Sequence, residues 1–188
     1  MAERILATEV RHQAEYQALR ASIRERGTAR MVLLPIIIIG WAATAIATGA
    51  VITVALSTLV PLLVLAAGFE AIFALHTNVE RIGRYLQVFH EDRADEWEHV
   101  AMAFGQRFPG TGPDPLHGRL FALAISVNYL PAALGGTEIE LAVLAVFHLV
   151  VIARIRACRS AAAKQRSLDL ERFTAIAGQA SATAVQTP

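Results

Sequence analysis

The chain has very few of the residues and patterns by which an enzyme is usually recognised. It holds a single cysteine, Cys158, which excludes a disulfide within the chain, and nothing beside it resembles a metal or redox motif. It has no G-x-S-x-G pattern, no phosphate-binding P-loop and no dinucleotide-binding glycine pattern. A net charge of +1 gives no reason to expect nucleic acid as a partner. Catalysis therefore has little support from the sequence.

Charge is absent from the longest apolar stretch, which runs from Met31 to Phe69. As one helix this stretch would measure roughly 58 Å, nearly twice the thickness of a hydrocarbon core of about 30 Å. A pair of membrane helices joined by a tight turn fits that length, and we place them at 31–50 and 55–76. The hydrophobic content of 55% also exceeds the roughly 45–50% that is usual for soluble domains.

Two shorter apolar stretches, 119–135 and 138–154, predict a third and a fourth span. Between them, Thr137 and Glu140 match a capping box, in which each side chain bonds the backbone N–H of the other residue. Both stretches are close to the minimum length for a crossing, so a hairpin that enters the membrane without crossing it is the alternative.

The predicted fold class is all-α: a polytopic membrane protein with four transmembrane helices and flanking amphipathic cytoplasmic helices. We divide the chain into an amphipathic segment, a membrane domain with a loop at 77–118, and a basic tail; the three parts are 1–30, 31–154 and 155–188. Residues 2–26 predict a surface helix, or alternatively a short coiled coil, that is interrupted at Gly27.

The other two flanking segments carry weaker signals. In the loop, Trp97 to Phe108 predicts an amphipathic helix of the kind that lies in a membrane interface, although its polar face is acidic rather than basic. In the tail, residues 178–188 are expected to be disordered.

The basic residues are confined to three parts of the sequence. All 17 lysines and arginines fall within 1–30, 77–119 and 154–172. With four crossings these segments share one side of the membrane, and the rule that positive loops stay inside places both termini in the cytoplasm. We expect a bacterial cytoplasmic membrane, with anionic lipid headgroups held by the basic tail.

Glu70 and His148 are the polar residues predicted to lie within the apolar layer. A charged carboxylate costs at least about 2.5 kcal/mol there, so Glu70 is expected to face the bundle, to pair or to be protonated. Both residues lie about six positions from the cytoplasmic end of a span, and a mutual hydrogen bond would make each less costly. The pair would then fix helix packing, or alternatively serve a proton, ion or ligand site.

Four residues on the cytoplasmic side are candidate metal ligands: His76, Glu80, His90 and His99. His76 and Glu80 are four positions apart, a spacing that places two ligands on one helical face. The alternatives are a solvated acidic loop that faces the basic terminal segments, and a haem held by His76 and His148. The sequence does not identify a cofactor.

Three hypotheses of function follow. The first is a non-enzymatic subunit or interaction scaffold of a membrane complex, assembled with other membrane subunits or with copies of itself. The second is a small oligomeric channel or transporter that uses Glu70 and His148. The third is a membrane enzyme that binds a metal or haem through His76 and Glu80.

Overall fold

The computed structural model describes residues 2–51, 54–91, 93–108 and 114–186, and every regular element within these ranges is helical. The elements are α1 (Ala2–Val51), a 3-10 helix (Ala55–Thr58), α2 (Leu59–Phe89), α3 (Trp97–Arg107), α4 (Asp114–Gly135) and α5 (Glu138–Gln186). The all-α prediction is therefore confirmed.

Within the described ranges, three helical stretches are long and apolar enough to cross a membrane: Leu6–Val51, Ala55–Phe89 and Glu138–Ala180. They contain the predicted spans 31–50, 55–76 and 138–154. The remaining predicted span, 119–135, lies in α4, which is not among them. Its apolar run is short, since Arg119 precedes it and Asn128 and Pro131 interrupt it.

Helices α1 and α5 extend further than the sequence signals indicated. The predicted interruption at Gly27 is wrong, because α1 is continuous from Ala2 to Val51. One glycine in a helix costs only about 1 kcal/mol, which neighbouring turns offset. Helix α5 likewise continues past residue 178, to Gln186, through alanine-rich sequence with a high helix propensity. Residues 187–188 of the stretch predicted to be disordered lie outside the described residues, and disorder of this stretch stays a prediction.

The predicted capping box at the start of α5 is confirmed. The backbone N–H of Thr137 donates to Glu140 Oε2 at 2.9 Å, and the N–H of Glu140 donates to Thr137 Oγ1 at 3.4 Å. These bonds satisfy backbone groups that a helix start leaves without an intrahelical partner, and so begin α5 immediately after α4.

The chain divides into two compact units. Unit 1 comprises Met1–Thr28, Leu75–Pro109 and Ala162–Pro188, and unit 2 comprises Ala29–Ala74 and Gly110–Ala161. The core of unit 2 draws buried side chains from four helices, including Ile37 of α1, Leu65 of α2, Phe121 of α4 and Ile155 of α5. Although α4 is not a candidate span, it is thus an integral part of this core.

Candidate functional site

A cluster of four charged side chains, with all but Arg20 buried, joins three segments of unit 1. Arg20 of α1 donates from Nη1 to Glu98 Oε1 at 2.6 Å and from Nη2 to Glu91 Oε1 at 2.8 Å. Arg84 of α2 donates from Nη2 to Glu98 Oε2 at 3.2 Å. Glu91 Oε2 also accepts the backbone N–H of Glu98 at 2.8 Å. Two arginines balance two carboxylates, and together they join α1, α2 and the start of α3.

The alternative to a metal site was an acidic loop exposed to solvent, but two of its carboxylates are buried. The Glu91 and Glu98 side chains are only 3% and 9% exposed. Their contact with Arg20 does place them against the basic N-terminal segment, as that alternative expected. Gly83 of α2 makes room for Glu98, because a Cβ there would lie 2.6 Å from Glu98 Oε2. A glycine within a charged helical stretch was the signal in the sequence that could have indicated a close approach.

Helix α3 confirms the predicted element to within one residue and turns its apolar face outward. Glu98 points into unit 1, whereas Trp97, Val100, Phe104 and Phe108 are all roughly half-exposed or more. The acidic side of the helix is thus occupied by arginines. The apolar side is left open in the described structure, as an interfacial helix requires.

A cavity of about 310 Å³ lies beside the charge cluster. It is lined by His12, Gln13, Tyr16, His90, Glu91, Glu96 and Trp97. The imidazole ring of His90 stacks on that of His12, with centroids 4.0 Å apart and planes at 23°. The His12 ring comes from α1 and the His90 ring from the residue that follows α2, so the cavity is formed only when these segments pack together.

His90 is an unusual member of this cavity. Its side chain is 1% exposed, and neither ring nitrogen has a hydrogen-bond partner; Glu15 Oε2 lies 4.0 Å from Nε2. Burial lowers the pKa of His90 from its ordinary value of about 6.5, the His12 ring lowers it further, and the Glu15 carboxylate opposes both effects. His90 therefore favours the neutral form and keeps an unused acceptor nitrogen.

In unit 2, Glu70 and His148 were predicted to share a hydrogen bond, but each has a different partner. Glu70 accepts two hydrogen bonds from Arg154, one from Nε at 2.7 Å and one from Nη2 at 3.0 Å. The two side chains are 45% and 47% exposed, and the guanidinium lies over the Phe73 ring at 5.7 Å. Arginine offers a planar, permanently charged fork that a carboxylate prefers to a buried imidazole. A transport path that uses both Glu70 and His148 stays a prediction.

His148 instead belongs to a buried polar network around Asn128. The Asn128 amide nitrogen donates to the Thr58 carbonyl at 2.9 Å and lies 3.1 Å from His148 Nε2, and its oxygen accepts the Trp41 indole N–H at 3.0 Å. His148 Nδ1 lies 2.7 Å from the Leu144 carbonyl, which makes Nδ1 the donor and leaves Nε2 as the acceptor. Asn128 was noted in the sequence only as an interruption of an apolar stretch.

The candidate metal ligands are dispersed within unit 1. Glu80 pairs with Arg166 of α5 at 3.4 Å. His99 lies 3.3 Å from Gln87 and 3.2 Å from the Glu91 carbonyl, and His90 lies in the cavity. In the part of the chain that the structure describes, no three histidine, cysteine or acidic side chains are grouped so as to hold a metal ion. A metal at His76, Glu80, His90 and His99 stays a prediction.

Comparisons of the chain with protein-family models, with curated proteins and with solved structures gave no match. The functional argument therefore rests on the two units themselves: the charge cluster and cavity of unit 1, and the ion pair and polar network of unit 2.

Proposed function

We propose that this chain is a non-enzymatic subunit of a membrane complex, assembled through its spans with copies of itself or with other membrane proteins. The observation that carries the proposal is the Glu70–Arg154 ion pair. Both residues lie on long apolar helices, yet nearly half of each side chain is exposed on unit 2.

Arg154 ends the predicted span 138–154, and Glu70 lies about six positions inside the span 55–76, so the exposed half of the pair borders the lipid tails, to which an ion pair is poorly suited. Ionised side chains within a bilayer are expensive and normally face protein or water. Contact with a neighbouring subunit would remove the exposed half of the pair from lipid and offer further hydrogen-bond partners. Helix α1 offers additional surface, since only 6% of its most apolar window is buried. That window includes small residues such as Ala43 and Ala47, which allow helices to approach closely.

The composition of unit 1 supports a topology with both termini in the cytoplasm. Its three segments, 1–28, 75–109 and 162–188, nearly coincide with the three segments that carry the basic residues. Segments that pack into one unit share one side of the membrane, so each intervening stretch has to begin and end on that side. Four crossings meet this condition, with α4 as the fourth.

The proposal is tested by native mass spectrometry of the full-length protein in nanodiscs. The informative variant is Glu70→Leu combined with Arg154→Leu, which removes both charges and leaves neither unpaired. We expect it to shift the population toward monomer, with a dissociation constant raised about tenfold, or about 1.4 kcal/mol. The matched control is Arg93→Ala with Asp95→Ala, which removes an exposed ion pair from unit 1.

If the pair instead faces lipid, the double leucine variant keeps the wild-type mass distribution and unfolds at a higher temperature, because a desolvation cost has been removed. That result would refute the proposal. A wild-type protein that is monomeric at all concentrations would refute it as well.

A further inference from the structure

The cavity of unit 1 has the chemical character of a binding site. Its volume of about 310 Å³ is at the lower end of the range for small-molecule pockets. Its walls combine aromatic rings, from Tyr16 and Trp97, with imidazoles and carboxylates. The charge cluster beside it holds the walls in place, because Glu91 is both a lining residue and a partner of Arg20.

His90 is the independent observation that points to a ligand. A buried polar nitrogen without a partner costs about 1–3 kcal/mol, which is why such groups are uncommon in folded proteins. Both nitrogens of His90 are in that condition while the ring lines the cavity. A ligand that donates a hydrogen bond to this ring would remove the cost.

The other lining residues indicate the charge of that ligand. None of the described lining residues is a lysine or an arginine, whereas two are glutamates. The charge of Glu91 is balanced by Arg20, but Glu96 accepts only a backbone N–H, from Arg93 at 3.1 Å, among its described hydrogen bonds. The exposed Trp97 ring adds a face that attracts cations, whereas the Tyr16 ring already has the Arg20 guanidinium 5.2 Å from its centroid. A cation that donates hydrogen bonds fits these groups, whereas an anion does not.

We propose that this cavity binds a primary ammonium group, which donates hydrogen bonds to a His90 ring nitrogen and to the Glu96 carboxylate while the aromatic rings contact its alkyl part. The lowered pKa of His90 supports the assignment, since only a neutral imidazole accepts such a bond. Primary ammonium groups occur on free amines and on the headgroup of phosphatidylethanolamine, and the cavity chemistry is the same for both.

The experiment measures binding to the full-length protein in nanodiscs by isothermal titration calorimetry, with n-butylammonium as the soluble probe and butyrate as the probe of opposite charge. The second arm compares nanodiscs that contain phosphatidylethanolamine with nanodiscs of phosphatidylcholine alone. It uses the fluorescence of Trp97 in a Trp41→Phe variant, since the chain holds two tryptophans. Saturable binding of butylammonium with no binding of butyrate is expected if the ligand is a free amine. A change in Trp97 fluorescence specific to phosphatidylethanolamine is expected if the ligand is the lipid.

Two variants test the assigned contacts. Glu96→Gln keeps the shape of the side chain and removes its charge, and His90→Phe keeps a ring and removes both nitrogens. Each is expected to weaken the observed binding by about tenfold or more, the usual consequence of losing one charge-assisted hydrogen bond. The matched control is Asp95→Asn, which removes a neighbouring carboxylate that is 68% exposed and outside the lining, and should leave affinity unchanged.

Several outcomes would overturn the proposal: no response in either arm, binding of butyrate as strong as that of butylammonium, or an equal loss of affinity in all three variants. Zinc binding that needs His90 in a protein that binds neither amine would instead establish a metal site. Since Glu96→Gln changes a partly exposed residue, it tests the proposal even if His90→Phe fails to fold.

Discussion

The substitution Gly68→Ala probes a close approach between α1 and α2 in unit 2. A Cβ built on Gly68 would lie 2.9 Å from both Cγ1 and Cδ1 of Ile37, a separation that real Cβ atoms essentially never show. Gly68 and Ile37 are both buried. The affected atoms lie close to the α1 backbone, so Ile37 can yield only if the helix moves.

The expected magnitude follows from two opposing effects. Alanine stabilises a helix relative to glycine by about 1 kcal/mol. Overpacking of a well-packed core costs about 1–3 kcal/mol, and contact with a branched side chain near the backbone favours the upper part of that range. We therefore expect Gly68→Ala to lower the free energy of unfolding by about 1–2 kcal/mol.

The assay is reversible unfolding in mixed micelles, measured for a double-mutant cycle. Ile37→Ala removes the three atoms nearest to the new methyl group, and alone should cost about 2–4 kcal/mol through the cavity it leaves. The double variant should cost less than the sum of the two single losses, since the methyl group at position 68 fills part of that cavity. Gly40→Ala is the control, because its nearest foreign atom, Val64 Cγ1, is 3.9 Å away.

Strictly additive losses would show that the two residues do not meet. A Gly68→Ala protein as stable as the Gly40→Ala protein would lead to the same conclusion. Either result would refute the packing of α1 against α2 at this point. It would also put the exposure of the Glu70–Arg154 pair in question, because that exposure depends on how the helices of unit 2 pack.

Three further predictions test other parts of the structure. Thr137→Ala removes the cap of α5 and should lower the free energy of unfolding by about 1 kcal/mol. Because Thr137 and Glu140 bond each other's backbone, the loss in the double variant with Glu140→Ala should be smaller than the sum of the two single losses. Asn128→Ala removes one hydrogen-bond partner from the Trp41 indole, the Thr58 carbonyl and the His148 ring, and should lower the unfolding free energy by about 1–3 kcal/mol. Because the pKa of His90 is lowered in the folded protein, the unfolded chain binds a proton at higher pH than the folded chain does. The free energy of unfolding should therefore fall as the pH drops below about 6.5. In His90→Phe, the free energy of unfolding measured across the same pH range should change less.

Signals confined to one stretch of sequence predicted structure correctly. The capping box depends on residues three positions apart, and the apolar face of α3 depends on one short helix. The charge-free block, Met31 to Phe69, likewise required two long helices because of its length alone. In each case the physical cause lies within the segment, so the sequence contains it.

The contacts between helices could not be predicted from the sequence. Hydropathy places Glu70 and His148 at similar depth, but it does not determine which faces of their helices meet. The partners that these residues acquire, Arg154 and Asn128, depend on that rotation. The helix was wrongly predicted to end at Gly27 for a related reason: the continuity of α1 depends on the whole helix rather than on one residue.

The charge cluster also has a consequence for the order in which the protein is made. Arg20 and Glu98 are 78 positions apart, and the membrane segments 31–50 and 55–76 lie between them in the chain. A ribosome therefore delivers Arg20 and both segments before any of its carboxylate partners exists. Until Glu91 and Glu98 emerge, neither carboxylate of the cluster is available to the guanidinium of Arg20. The N-terminal segment is therefore needed for the burial of two carboxylates made much later. A chain that lacks Arg20 would bury Glu91 and Glu98 with only Arg84 to balance their two negative charges.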